Sequence, residues 1–255
     1  MKKTKGFLLA FALTGAFLLN GCGDSTDLVP PLPDQVVSAE RIYIPNSGNS
    51  SVVARAVSRS DANLSNIGVS AVGTTPKMVK THPTQRFIYV ANQGSDNISA
   101  FAVDDNGGLT PLAGSPFAAP LGVTSIAIDP SGRFLYAAGD VNEIRTYNIG
   151  ASGGLSNPVS NVLASLPTTV APVFTRNAAG LFLNVAGATG GVASVETFTV
   201  NENTGALTAN SVSTVVGGTS VDGLSLHPTG AVLVASVAHR RGAAPAAARS
   251  IRRRP

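Results

Sequence analysis

The sequence predicts an all-β protein built from repeated antiparallel sheets of four strands each. Extended runs rich in Val, Ile, Tyr and Phe alternate with turns that contain Pro, Ser, Gly or Asn, and residues 81–103 follow this order of turn, strand, turn and strand. The pattern recurs with a period of about 46 to 50 residues. The composition agrees, because 27 glycines and a charged fraction of only 13% are typical of β-rich globular proteins.

Five copies of the repeat follow one another along the chain. The first, at residues 41–57, matches the second, at residues 87–103, at an offset of about 46. The third copy covers residues 129–149, the fourth is a weaker copy at residues 178–200, and the fifth starts at His227 and stops early. A period of this length with four extended segments predicts the blades of a β-propeller.

Each run is assigned to one strand of a blade, counted outwards from the propeller axis. The inner strand precedes the Pro-Ser/Thr-Gly turn, as at residues 77–81, 123–128 and 223–226. The Phe-Ile-Tyr run is the second strand and the Ser-Ala-Phe run is the third. A Leu-Thr-Pro-Leu run is the outermost strand, where Pro111 and Pro116 are tolerated because an edge strand loses no ladder bond. The apolar side chains of the second and third strands are expected to pack blade against blade.

The amino-terminal segment is predicted to direct secretion. Three lysines within the first five residues precede an apolar run over residues 6–19, which is too short for a comfortable membrane span. Residues 19–22, Leu-Asn-Gly-Cys, resemble the bacterial lipobox, a signal that is cut before a cysteine carrying a diacylglycerol. We therefore expect a signal peptide at residues 1–21 and lipid attachment at Cys22.

Cys22 is the only cysteine in the chain, so no intrachain disulfide can form. An ordinary signal peptide with an incidental cysteine is the alternative to lipidation. Several acyl chains would hold the protein firmly, since each buried methylene contributes about 0.8 kcal/mol. Residues 22–40 contain several prolines and few apolar residues, and they are expected to form a flexible tether to the membrane.

The formal net charge of +4 does not describe the predicted propeller. Three lysines of the leader and six arginines after residue 238 make up half of the 18 basic residues, whereas all 14 acidic residues lie between these two segments. The body is therefore net negative, and we expect no nucleic-acid partner for it.

Residues 239–255 lose the strand pattern and consist mainly of Arg, Ala and Pro. We expect this tail to be disordered or to be the product of a shifted reading frame, because a GC-rich gene read out of frame yields such a composition. A true basic segment that binds anionic lipid or nucleic acid is the alternative.

The second repeat resembles a known family. Tyr89-Val90-Ala91-Asn92, with Gly-Ser-Asp-Asn and Ile-Ser-Ala-Phe behind it, resembles the Tyr-Val-Thr-Asn repeat of the seven-bladed lactonase-like propellers, and residues 130–136 are equally typical of them. That family includes bacterial 6-phosphogluconolactonase and the fungal muconate-lactonizing enzyme. The resemblance implies an incomplete β-propeller over residues 41–238, with about four to five of seven four-stranded antiparallel blades. It indicates fold more strongly than activity, because these motifs are turns and packing strands.

The residues that could carry catalysis do not form a recognisable set. The resemblance implies His, Arg and Glu at the mouth of the central channel, where a lactone hydrolase needs a base for water and a cation near the developing oxyanion. His82 and His227 occupy the turn position that Asp129 holds in another blade, so we interpret them as turn residues. Glu143 and Glu196 lie in predicted third strands.

Arg86 and Arg133 recur in register before second strands, which indicates a shared structural role. Catalytic residues therefore stay unassigned. The three histidines do not recur at metal-ligand spacing, and neither a Ser-His-Asp spacing nor a phosphate-binding loop is present, so we expect no cofactor and no metal.

Three functions remain open. The first is a non-catalytic lipoprotein of the bacterial cell envelope that binds a ligand or a partner protein on the propeller face. The second is a sugar-lactone hydrolase of the 6-phosphogluconolactonase type, and the third is a non-functional truncated gene product. The lipid anchor favours the first over the second, since phosphorylated sugar lactones are cytoplasmic. We therefore expect an extracytoplasmic protein, periplasm-facing or at the cell surface, that contacts the membrane through Cys22.

Overall fold

The computed structural model describes residues 40–59, 61–163, 166–167, 172–189, 191–214, 218–226 and 233–238. The predicted signal peptide, Cys22, the tether up to residue 39, His227 and the tail at residues 239–255 lie outside these described residues. No helix in the described part has the length and hydropathy of a membrane span.

The described chain forms five successive antiparallel sheets, which we call blades 1 to 5. Blade 1 contains β1 (Glu40–Asn46), β2 (Ser51–Val57) and β3 (Leu64–Ala71). Blade 2 contains β4 (Pro76–Thr81), β5 (Phe87–Asn92), β6 (Asn97–Val103), β7 (Leu109–Pro111) and β8 (Phe117–Ala118). A single 3-10 turn, Gln93–Ser95, joins β5 to β6.

Blades 3 to 5 follow the same plan. Blade 3 contains β9 (Ser125–Ile128), β10 (Phe134–Ala138), β11 (Glu143–Ile149) and β12 (Leu155–Val162). Blade 4 contains β13 (Leu166–Pro167), β14 (Val173–Asn177), β15 (Gly180–Thr189), β16 (Val192–Val200) and β17 (Leu207–Thr214). Blade 5 contains β18 (Ser220–Leu226) and β19 (Leu233–Ala238). The prediction of an all-β fold made of propeller blades is thus confirmed.

The core lies between the blades rather than within one sheet. Because side chains alternate across a strand, each blade presents one apolar face to its predecessor and one to its successor. In β5, Ile88 and Val90 pack towards blade 1, whereas Phe87, Tyr89 and Ala91 pack towards blade 3. In β10, Phe134 and Tyr136 pack in the same way towards blade 4.

A tyrosine–glycine latch joins successive blades. The hydroxyl groups of Tyr43, Tyr89 and Tyr136 donate to the carbonyl oxygens of Gly107, Gly153 and Gly205, at distances of 3.2, 2.8 and 2.9 Å. Each glycine lies in the turn between the third and fourth strands of the following blade, and each has a positive φ. The latch therefore holds the second strand of one blade against the outer hairpin of the next.

Burial raises the pKa of Tyr89 and of Tyr136 well above its usual value, and the charge of Asp129 adds to the effect on Tyr136. In blade 4 the register places Asn184 where the earlier blades have the latch tyrosine. Its amide nitrogen donates instead within blade 4, to the Val173 carbonyl at 3.1 Å and the Thr175 hydroxyl at 3.0 Å.

Candidate functional site

The blades have two chemically different ends. We call one the AB end, because the turns from the first to the second strand of each blade lie there, at residues 82–86 and 129–133. We call the other the BC end, which carries the loops from the second to the third strand, at residues 47–50, 93–96 and 139–142. The loops that lead from one blade to the next also lie at the BC end. Ligands of closed repeat folds bind in such loop clusters, so each end is a candidate site.

The predicted site residues at the AB end are structural. His82 is 7% exposed, its Nε2 donates to the carbonyl of Gly132 at 2.8 Å, and its Nδ1 accepts from the Thr84 backbone N–H at 3.2 Å. Asp129 holds the equivalent place in blade 3, where its carboxylate accepts from the backbone N–H groups of Ser131 and Phe134. The interpretation of His82 as a turn residue is therefore confirmed.

The arginines before the second strands are also structural. The guanidinium groups of Arg86 and Arg133 lie over the rings of Phe87 and Phe134, at 5.7 and 5.4 Å from the ring centroids. Arg133 also donates to the backbone carbonyl of Glu202, in blade 4. These contacts place both arginines away from the BC end, and the shared structural role predicted from their register is confirmed.

The BC end is held together by hydrogen bonds between its own loops. The side-chain amide of Gln93 donates to Asp140 at 2.9 Å, which joins the loops of blades 2 and 3. The backbone N–H of Gly122 donates to the Asp96 carboxylate at 2.6 Å. The hydroxyl of Ser95 accepts from the backbone N–H of Thr74 at 3.1 Å. The acidic side chains of these loops are thus used to fix loop geometry.

A charged cluster lies between blades 2 and 3 at this end. Glu143 Oε1 accepts from Arg145 Nη2 at 2.7 Å and from Ser160 Oγ at 2.5 Å, and the Glu143 and Arg145 side chains are each 23% exposed. Burial is the largest single influence on Arg145 and opposes its charge, but the hydrogen bond to Glu143, the interactions with Tyr147 and the charge of Glu143 together raise the pKa of Arg145. This pairing was not predicted, although residues two apart on a strand share a face.

The second predicted acidic residue, Glu196, lies deeper in the fold. It is 3% exposed in β16, pairs with Val185 of β15, and faces blade 3. Ile149 of blade 3 pairs with Leu155, and Val200 of blade 4 pairs with Leu207; each leucine lies two residues after the turn glycine of its blade. Arg145 and Glu196 lie four residues before Ile149 and Val200, so they occupy equivalent positions in blades 3 and 4. The structure therefore keeps Glu143 and Glu196 in separate interblade layers.

Lys77 is a further charged residue at the BC end. It is exposed and lies at a register shift between β4 and β5, where Pro76 pairs with Asn92 and Met78 pairs with Ala91. Such bulges often re-aim a side chain near a functional site. No group of three or more His, Cys, Asp or Glu among the described residues is placed to hold a metal ion.

The comparisons with known proteins agree with this geometry. Residues 36–124 match the family described as "Lactonase, 7-bladed beta-propeller". No functionally curated protein matches the chain in sequence.

Several solved structures share the fold. A proposed 6-phosphogluconolactonase from Bacteroides fragilis is 17% identical, with a TM-score of 0.64 over 77% of this chain and 60% of that one. The periplasmic gluconolactonase of Pseudomonas aeruginosa is 21% identical, with a TM-score of 0.57 over 69% of this chain and 51% of that one. A proposed 6-phosphogluconolactonase from Bacteroides uniformis is 18% identical, with a TM-score of 0.56 over 69% of this chain and 54% of that one.

The chain thus spans between half and three-fifths of the length of these structures. At such identities the likeness concerns the fold alone. The resemblance found in the Tyr-Val-Ala-Asn repeat is confirmed by the independent family match over the first blades. Residues 36–124 therefore carry the sequence pattern of the seven-bladed lactonase-type β-propellers, and the described blades have the fold of that family.

Proposed function

We propose that this chain belongs to a lipid-anchored, extracytoplasmic propeller that binds a ligand or partner at the BC end without catalysing a reaction. The supporting observation is that the acidic side chains at the BC end are already hydrogen-bonded to neighbouring protein groups. The carboxylates of Asp96, Asp140 and Glu143 each accept a hydrogen bond from a neighbouring protein group. A lactone hydrolase needs a carboxylate or imidazole free to activate water, beside a cation for the oxyanion.

An activity assay tests the non-catalytic part of the proposal. The secreted chain is incubated with glucono-1,5-lactone and with its 6-phosphate, and ring opening is followed against the spontaneous rate. We expect no acceleration with either substrate. A saturable rate that grows with protein concentration would overturn the proposal.

Hydrolysis of a sugar lactone is the second candidate function. It is favoured by the likeness to a structure described as a periplasmic gluconolactonase, since that protein works outside the cytoplasm. An envelope location is therefore compatible with a lactonase of this fold. If the assay finds activity, Lys77→Met and Glu196→Gln identify its source, because these two residues supply an exposed cation and a buried carboxylate.

The anchor is tested separately. We expect that Cys22→Ser moves the protein from the membrane fraction to the soluble periplasmic or extracellular fraction, because the thioether to diacylglycerol cannot form. Immunoblotting of the fractions and the mass of the mature amino terminus provide the measurement. A mature amino terminus of the parent chain that starts at Cys22 without a diacylglycerol mass, or that starts elsewhere, would contradict the lipoprotein assignment.

A further inference from the structure

The inner strands of blades 2 and 3 are joined through a methionine sulfur. The backbone N–H of Ile126, in β9, donates to Sδ of Met78, in β4, at 3.4 Å. β9 is the end strand of its sheet, and this N–H points to the neighbouring blade instead of to β10. Because Ile126 is 0% exposed, its N–H becomes a buried donor without an acceptor if the sulfur is removed or displaced.

A β-bulge selects Met78 for this place. Pro76 pairs with Asn92 and Met78 pairs with Ala91, so Lys77 is the extra residue of β4. An uninterrupted register would put Lys77 opposite Ala91, on the face that packs against blade 3. The bulge instead leaves Lys77 exposed and places Met78 against the apolar cluster between the two blades.

Met78 is also the one methionine outside the predicted leader, since the chain has two methionines and the other is Met1. Its side chain is partly buried rather than enclosed. In blade 3 the residue opposite the equivalent alanine, Ala138, is Ser125, so the sulfur contact is not a feature of every repeat. Two-electron oxidants that convert thioethers to sulfoxides therefore have a single methionine to act on in the propeller.

We propose that Met78 is a reversible oxidation site, and that its conversion to the sulfoxide breaks the contact with Ile126 and loosens blade 2 from blade 3. With hydrogen peroxide as the oxidant, the sulfur donates an electron pair to one peroxide oxygen. An S–O bond forms, the O–O bond breaks, and the second oxygen leaves as water with both protons. Thiol-dependent reduction removes the oxygen again as water and oxidises two thiols to a disulfide.

The sulfoxide does not fit the place of the thioether. Sδ lies at hydrogen-bond distance from the Ile126 nitrogen and packs on apolar side chains, which leaves no room between the two atoms for an added oxygen. The oxygen is also a polar acceptor that loses its hydration inside the apolar cluster. The oxidised side chain therefore turns towards the exposed side of the bulge, and the N–H of Ile126 loses its acceptor. This contact between blades is independent of the ligand proposed for the BC end.

The test treats the full chain with hydrogen peroxide and locates the added oxygen by peptide mass mapping, which separates Met78 from Met1 and Cys22. We expect Met78 to be oxidised and amide hydrogen exchange at Ile126 to become at least about tenfold faster. The melting temperature should fall by about 2–4 °C, as expected for the loss of one buried hydrogen bond in a chain of this size. Methionine sulfoxide reductases of both stereospecificities, supplied with a thiol, should restore both values.

Two variants serve as controls. Met78→Leu keeps an apolar side chain without sulfur, so Ile126 should exchange fast before treatment and peroxide should change nothing. Met78→Leu combined with Lys77→Met moves the thioether to the exposed bulge residue, where oxidation should leave the melting temperature and Ile126 exchange unaffected.

Three results would overturn the proposal. The first is that Met78 stays unoxidised under conditions that oxidise the thioether at position 77 of the double variant. The second is that the sulfoxide of Met78 leaves both the melting temperature and Ile126 exchange unchanged, as it would if its oxygen took over as the acceptor. The third is that Met78→Leu responds to peroxide like the parent chain.

Discussion

At the scale of single residues, the turn glycines decide whether neighbouring blades can approach. Gly153 has φ of +82°, and a Cβ placed on it would lie 2.5 Å from a ring carbon of Phe87 in the preceding blade. A Cβ placed on Gly107 would likewise lie 2.7 Å from the Cδ atom of Arg41. In blade 1 the equivalent turn position is Ala62, with φ of +55°. Glycine is thus required at these positions for two reasons: the backbone is left-handed there, and a large side chain of the preceding blade leaves no room for a Cβ.

Gly153→Ala tests both purposes against a matched control. Gly191 has φ of +79°, and no atom lies within 4 Å of the position that an added methyl group would take, so Gly191→Ala carries only the backbone strain of about 1 kcal/mol. Gly153→Ala adds a steric clash with the Phe87 ring, and we expect a further loss of roughly 1–3 kcal/mol. Urea unfolding of both variants measures the difference. Equal losses would mean that the ring moves aside without cost.

At the scale of strands, blades are joined by polar contacts set into apolar layers. Besides the latches, Tyr147 of β11 donates to the carbonyl of Ala118 in β8 at 2.8 Å, which ties blade 3 to the outer edge of blade 2. Burial raises the pKa of Tyr147 to about 12, against an opposing effect of Arg145, and the charge of Glu143 adds to the rise. The hydroxyl must therefore stay protonated for the two strands to keep this contact.

A specific pH dependence follows from Tyr147. The unfolded chain loses the phenolic proton near the ordinary pKa of 10, whereas the folded chain holds it to about 12. The stabilisation is therefore complete below pH 10 and is lost as the pH rises to 12, by roughly 2–3 kcal/mol. Urea midpoints measured across this range should fall steeply, and Tyr147→Phe should make the fall shallower. An identical slope in the variant would assign the loss to other groups, such as Tyr89 and Tyr136.

The strands were largely predictable from the sequence, because hydrophobic alternation and turn residues are local signals. The second strands are found where the Phe-Ile-Tyr runs predicted them, at β5 and β10. The contacts between blades were not predictable, since Tyr89 and Gly153 are 64 residues apart and nothing local links them. The pairing of Glu143 with Arg145 could have been inferred from their spacing, because residues two apart on a strand share a face.

At the scale of the whole molecule, burial is concentrated in the middle blades. Every residue of β5 and β10 is buried, whereas the outer strands β3 and β17 are mostly exposed. In repeat proteins each unit is stabilised mainly by its neighbours, so a blade packed on both faces opens less often than one packed on a single face. Local stability should therefore vary along the chain rather than have one value.

Amide hydrogen exchange measures this variation. We expect the slowest exchange in β5, β6, β10 and β11, which lie between two apolar layers, and faster exchange in β3, β12 and β17 at the outer edge. The ratio of rates should fall when urea is added below the unfolding midpoint, as the blades open. Uniform protection in all blades would mean that the described sheets unfold as one cooperative unit.

The latch also has a consequence for the order in which the blades fold as the chain emerges. In each latch the tyrosine precedes its glycine partner by 64 to 69 residues. During synthesis or export the amino terminus emerges first, so the strand that carries each latch tyrosine emerges before the turn that carries its glycine acceptor. Blades 2 to 4 thus each complete the latch of the blade before them as they emerge, and a pause in delivery within these blades leaves only the newest sheet without its closing bond.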